Sequence, residues 1–247
     1  MKKRSVVGRL ALGAWLGAAC LLAGCGATKE SGPAPTTIQV KGSDTMVNVA
    51  QAWAEEYKKV APNINVEVSG GGSGVGIAAL ERGTIDIANA SRDMKPEEID
   101  QVRRNTGKEP MRFIVGFDAL AIYVHKDCPL EAISLQQLAD IYAEDGSVTK
   151  WSQLGVTIPG GDDEIVRISR QSSSGTYEFF REHVLGNRDF KLGSRDMNGS
   201  KEVVELVANT KTAIGYSGMG YATPAVNMLK LSVAPGQPAV EPTIANT

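Results

Sequence analysis

Cysteine and histidine are scarce in this chain of 247 residues, which has three of the first and two of the second. Cys20 and Cys25 fall in the leading segment, so Cys128 stands alone in the rest of the chain. A single cysteine forms neither an intrachain disulfide nor a metal cluster, which excludes a disulfide scaffold and leaves Cys128 as a small buried hydrophobe. The histidines, His125 and His183, read as surface or packing residues. No GxSxG elbow, HExxH pair or GxxxxGK[ST] loop is present, so the usual hydrolase and P-loop readings have no support. Excess positive charge is missing too. The 26 Lys and Arg face 28 Asp and Glu, and removing Lys2, Lys3, Arg4 and Arg9 with the leader leaves 22 against 28, a net charge of −6. That excludes a nucleic-acid binder. An anion bound by such a chain must be held by short-range donors against the overall field.

Long apolar runs are also lacking. The longest, Leu10 to Ala23, is interrupted by Gly13 and Gly17 and falls short of the roughly 20 residues that span a bilayer. Preceded by four basic residues and ended by small ones, it reads as a signal segment over residues 1–25. Leu22-Ala23-Gly24-Cys25 resembles the lipobox of bacterial lipoproteins. The resemblance implies acylation of Cys25, export, and attachment to the membrane through the lipid. Residues 26–36 are rich in Gly, Pro and small polar residues, as a flexible tether is.

From Ile38 onward the chain alternates strand and helix patterns. Ile38–Lys41 is a strand candidate, and Ser43, Asp44 or Thr45 can cap a helix carrying Met46, Val49, Ala50, Trp53, Tyr57 and Val60 at helical spacing. Ile64–Val68 alternates as a strand does. A Gly-rich loop with Ser73 then leads into a helix around Ile77–Arg82. Ile85–Ala90 is a third strand, Ser91-Arg92-Asp93 a loop, and Pro96 opens a third helix. Such alternation predicts an α/β fold with mostly parallel sheets flanked by helices.

Phe113–Phe117 and Leu120–Val124 read as strands at the crossing into a second lobe. There the patterns predict a helix over Leu135–Tyr142 capped by Ser134, a strand over Ile165–Ser169, a helix over Thr176–Leu185, and another over Ser200–Thr210. A strand over Ala213–Tyr216 is expected to return to the first lobe. The expected organisation is residues 37–118 with 218–247 as one lobe and 119–217 as the other.

Candidate site residues cluster at the strand-to-helix junctions, where open α/β sheets bind ligands. Helix N-termini there offer free N–H groups and partial positive charge to an oxyanion. Arg170, before the Ser174-Gly175-Thr176 turn, adds a fork of donors suited to a tetrahedral anion.

Seven blocks in order resemble PstS-type phosphate-binding proteins of ABC importers along almost all the mature length. They are Lys41–Thr45, Gly70–Gly74, Asp86–Arg92, Val124–Asp127, Trp151–Gly155, Arg170–Thr176 and Ala213–Tyr216. The resemblance implies a two-lobed periplasmic-binding-protein fold, hinged, with inorganic phosphate in the cleft. It also implies a monomer that serves membrane permease subunits, without catalysis and without a cofactor. Carried over by position, Ser43, Asp44, Thr45, Ser73, Ser91 and Arg92 bind from one lobe; Arg170, Ser174, Gly175 and Thr176 bind from the other.

Two departures stand out. Some family members place an aspartate directly after the equivalent of Ser91 and another beside the binding arginine, where this chain has Arg92 and Ser172. Asp44 is then the expected acceptor of the phosphate proton, with Asp93 second. The resemblance also leads one to expect a segment after Thr247 that finishes the first lobe, so the polar, Pro-rich tail from Ala234 has either diverged or been cut short. Rival readings are a binding protein of the same fold for sulfate, molybdate or tungstate, and a nucleotide-dependent enzyme suggested by the GxGxxA pattern of Gly74–Ala79.

Overall fold

The computed structural model describes residues 36–246. The signal segment, Cys25 and most of the tether lie outside the described residues.

The first lobe is built on three parallel strands: β1 (Thr36–Gly42) at the centre, β2 (Ile64–Ser69) on one side, β3 (Ile87–Asn89) on the other. Val40 of β1 lies opposite both Val68 and Ile87. Helices α1 (Val47–Val60), α2 (Ser73–Glu81) and α3 (Pro96–Thr106) follow the three strands in turn. α1 is preceded by a 3-10 turn over Asp44–Met46. Close backbone approach makes Gly42 obligatory: its φ is 145°, and a Cβ there would lie 2.0 Å from the carbonyl oxygen of Asn89. Gly42→Ala is expected to destabilise the fold by roughly 1–3 kcal/mol in urea unfolding, because both the φ and the contact must be relieved.

The second sheet has the order β7-β6-β8-β4-β9, made of β4 (Leu120–His125), β6 (Val166–Arg170), β7 (Arg195–Met197), β8 (Ala213–Gly218) and β9 (Val226–Met228). β6 pairs in parallel with β7 and β8, while β4 runs antiparallel to β8 and β9. Period-two alternation along β4 sends Ile122 and Val124 to one core and Ala121 and Tyr123 to the other. On the second face α6 (Ser200–Ala208) contributes Val203, Val204 and Val207. On the first face α4 (Leu135–Tyr142) and α5 (Gly175–His183) bring Tyr142 and Phe180 against Tyr216, with Phe180 stacked on Tyr216 at 4.0 Å between ring centroids. The Tyr142 hydroxyl donates to the carbonyls of Ile168 and Ile214, at 3.1 and 2.8 Å, so this aromatic core is also bonded to two strands. β5 (Ala132–Ser134) and β10 (Lys230–Ser232) form a separate short parallel pair.

Most expected elements form, including α4 with Ser134 as its cap, whose hydroxyl accepts from the N–H of Gln137 at 3.1 Å. Two expectations are corrected. Phe113–Phe117 makes no strand; the segment has no regular structure, and Phe113, Ile114, Val115 and Phe117 are exposed. An apolar run becomes a strand only where an edge is offered to it, and no described strand pairs with it. Nor does β8 return to the first sheet. It sits fully buried between β6 and β4, and the chain beyond it continues on the second-lobe strands through β9 and β10.

Candidate functional site

The carboxyl ends of β1, β2 and β3 deliver three loops to one place. Main-chain bonds tie these loops together: Ser43 N–H donates to Asn89 O at 2.8 Å, and Gly72 N–H to Gly42 O at 2.9 Å. Ser43 and Ser73 are buried. The hydroxyls of Ser43, Thr45 and Ser91 form a mutually bonded cluster, with Thr45 Oγ1 at 2.8 Å from Ser43 Oγ and 2.7 Å from Ser91 Oγ. Ser91 N–H donates to Ser73 Oγ at 3.0 Å. Three separate loops thus place four hydroxyls within one hydrogen-bonded group.

Opposite stands Arg170, the last residue of β6, which is 1% exposed. Its Nη1 donates to Ser200 Oγ at 3.0 Å and Thr176 Oγ1 at 3.4 Å; its Nη2 donates to Asn198 O at 2.9 Å and to Asp44 Oδ2 at 3.3 Å. The Arg170 Nε is buried and has no hydrogen-bond partner. Burial pushes the guanidinium pKa down, and the Asp44 carboxylate opposes that shift. Asp44 also accepts Gly71 N–H at 2.9 Å through Oδ1. One carboxylate therefore joins the first helix, the Gly-rich loop and the arginine of the other lobe.

The lobes also touch at three glycines. Gly74 N–H donates to Ser173 O at 2.9 Å, and a Cβ on Gly72, whose φ is 96°, would lie 2.6 Å from that oxygen. A Cβ on Gly175 would meet Ser73 Oγ at 2.5 Å. Ser174 caps α5, accepting Thr176 N–H at 3.2 Å. Small residues at this interface allow the two helix starts to face each other closely.

Nine of the ten sequence-predicted site residues are brought together: Ser43, Asp44, Thr45, Ser73, Ser91, Arg170, Ser174, Gly175 and Thr176. Arg92 is the correction. Its Nη1 and Nη2 each donate to Glu98 at 2.8 Å, and its Nε pairs with Glu178. Adjacent to Ser91 in sequence, it points its fork at carboxylates rather than at the hydroxyl cluster, because α3 presents Glu98 in its first turn. Asp93, the second choice for proton acceptor, pairs with Arg112 at 2.9 Å and is well exposed.

Ser200, Asn198 and Tyr221 were not foreseen. Ser200 begins α6 and is 1% exposed; Tyr221 donates its hydroxyl to Asp44 O at 3.0 Å across the lobes. Asn198-Gly199-Ser200 is one more strand-to-helix junction and had that signal. Its strand, Arg195-Asp196-Met197, lacks apolar alternation and does not read as one.

Two α/β lobes closing at opposed strand ends on a buried arginine, a carboxylate and a ring of hydroxyls define a two-lobed solute-binding architecture. The chain belongs to the PBP superfamily, whose domain model matches residues 27–242. It is 37% identical over 206 residues to phosphate-binding protein PstS of Pseudomonas aeruginosa, which covers 81% of this chain and 64% of that relative. Against the PstS of Staphylococcus haemolyticus the identity is 30% over 230 residues, 90% of this chain and 69% of the relative. The chain thus spans a little under two thirds of the length of the Pseudomonas relative. The fold is similar, with a TM-score of 0.72 and 31% identity over 85% of this chain and 79% of the other, to a phosphate ABC transporter substrate-binding protein from Clostridium perfringens solved with bound phosphate.

Proposed function

We propose that this chain captures inorganic phosphate on the outer side of the membrane, held there by lipid on Cys25, and delivers it as a monomer to an ABC-type permease without chemical turnover. The observation that carries the reading is the cross-lobe pair of Arg170 and Asp44 set among the hydroxyls of Ser43, Thr45, Ser91, Thr176 and Ser200. Opening the lobes separates these donors. Closing them around a tetrahedral oxyanion replaces hydroxyl-to-hydroxyl bonds with charge-assisted bonds to the anion.

Asp44 supplies the discrimination. Phosphate at neutral pH keeps a proton that an ionised carboxylate accepts, whereas sulfate has none and meets the carboxylate as an unpaired like charge. Asp44→Asn is expected to weaken phosphate binding by about 10- to 100-fold, the worth of a hydrogen bond to a charged group, and to narrow the margin over sulfate. Unchanged selectivity in a competition titration would remove Asp44 from this role.

The reading as a whole is tested by isothermal titration of the purified chain with phosphate, then with sulfate and molybdate as competitors at physiological salt. Tight phosphate binding that excess sulfate does not displace is the expected result. Displacement by sulfate or molybdate assigns the site to another oxyanion. Absence of binding to any of the three by a folded sample overturns the reading.

A further inference from the structure

We propose that Arg92 and Glu178 form a clasp across the mouth of the cleft that holds the lobes closed and sets the rate at which the bound anion leaves. The proposal rests on the phosphate-capture reading for its ligand, though not for its geometry.

The clasp has a permanent half and a breakable half. Arg92, Lys95 and Glu98 all belong to the first lobe. There, Glu98 accepts both terminal nitrogens of Arg92 at 2.8 Å and the Lys95 N–H at 2.8 Å. Nothing in lobe motion needs to disturb those bonds. Glu178 comes from the first turn of α5 in the second lobe, pairs with the remaining Arg92 nitrogen and stands 3.5 Å from Lys95 Nζ. It is the one member of the four that leaves when the cleft opens. Side-chain exposures of 15% for Arg92 and 32% for Glu178 place the pair between core and solvent. There an ion pair is screened less than at the surface yet spared the full desolvation of the interior.

Charge count gives the clasp a direction. Closed, the two cations and two carboxylates cancel. Opened, the first lobe keeps a net positive charge at its rim and the second lobe a negative one, so separation is opposed beyond contact range and more strongly at low salt. Hydrogen bonding to Glu98 raises the Arg92 pKa further, so the cation persists at every working pH. Position couples the clasp to the ligand. Arg92 follows Ser91 of the hydroxyl cluster, and α5 begins at Gly175, whose Cβ position lies 3.1 Å from Ser91.

The test is stopped-flow release of phosphate from Glu178→Gln, with Arg92→Gln and the double variant completing a cycle. Expected are a roughly tenfold faster release and an equal loss of affinity in Glu178→Gln, with little change in association rate. The parent's release should quicken with added salt and the variant's should not. Adding Arg92→Gln to Glu178→Gln should cost less than Arg92→Gln alone, since the partner is already gone. Release from Glu178→Gln at the parental rate, or with parental salt dependence, overturns the clasp. Should the parent bind no phosphate, small-angle scattering of both proteins decides instead. A wider lobe separation in Glu178→Gln supports the clasp, and identical curves overturn it.

Discussion

If the proposed phosphate site is correct, Arg170→Lys is expected to lower phosphate affinity by on the order of a hundredfold, and Arg170→Met to remove measurable binding, in titrations at neutral pH. Lysine keeps the charge but loses the planar fork. In the native chain that fork serves Ser200, Thr176, Asn198 O and Asp44 through its two terminal nitrogens while Nε stays unpartnered. An ammonium on a flexible stem cannot hold these partners and an anion at once. Methionine fills the space but strands Asp44, which keeps only the Gly71 N–H. The folded state survives in both variants, as circular dichroism should show, because the groups released lie along the cleft. Retained submicromolar binding by Arg170→Met would refute the site.

Trp151→Ala costs about 3–5 kcal/mol of stability. For a chain of this size that lowers the melting temperature by on the order of 10 °C. Trp151 has no exposed surface, lies in the core cluster with Tyr142, Phe180 and Tyr216, and donates its indole N–H to Thr212 O at 3.1 Å. It occupies a 3-10 turn over Trp151–Leu154 rather than a helix or strand, so no neighbouring element slides in to fill the void. Trp151→Phe should cost less, about 1–2 kcal/mol, because Thr212 O also accepts the Val166 N–H at 2.9 Å and is not left unpaired. Calorimetry of the pair separates packing from the hydrogen bond. An alanine variant that melts with the parent would show the cluster to be loosely packed.

The two variants probe what differs between legible and illegible parts of this chain. Loops after strands were readable because glycine, serine and a capping residue between an apolar alternation and a helical pattern admit few conformations; Ser43, Ser73, Ser91 and Ser174 fall at such junctions, and the family resemblance is what gave them a binding role. Arg170 stood at a strand end before a Ser-Gly-Thr turn, and the resemblance of that block to the family singled it out. Arg92, like Arg170, lies at a strand-to-helix junction, yet Arg170 faces the cleft and Arg92 a pair of glutamates. What separates them is Glu98, six positions on, which takes both terminal nitrogens of Arg92, and Glu178, 86 positions later in the chain, which takes the third; local pattern carries no information over the second distance.

Phe113–Phe117 shows the same limit for strands. Its composition is that of β structure, but strand formation is a two-partner event, and no described strand pairs with it. β8 shows the converse. Its six residues are all buried, which burial pattern alone would allow in either sheet, and pairing with β4 and β6 decided the matter.

By itself, then, the amino-acid order determined the element types, the strand-to-helix junctions and the residue kinds there that suit an oxyanion, since these depend on neighbours within a few positions. Tertiary structure alone decided which arginine enters the cleft, that Ser200 supports it while Tyr221 holds the Asp44 main chain, and which sheet receives the chain after β8. Those outcomes turn on contacts between residues distant in sequence, where burial, pairing and charge complement are settled only when the lobes meet.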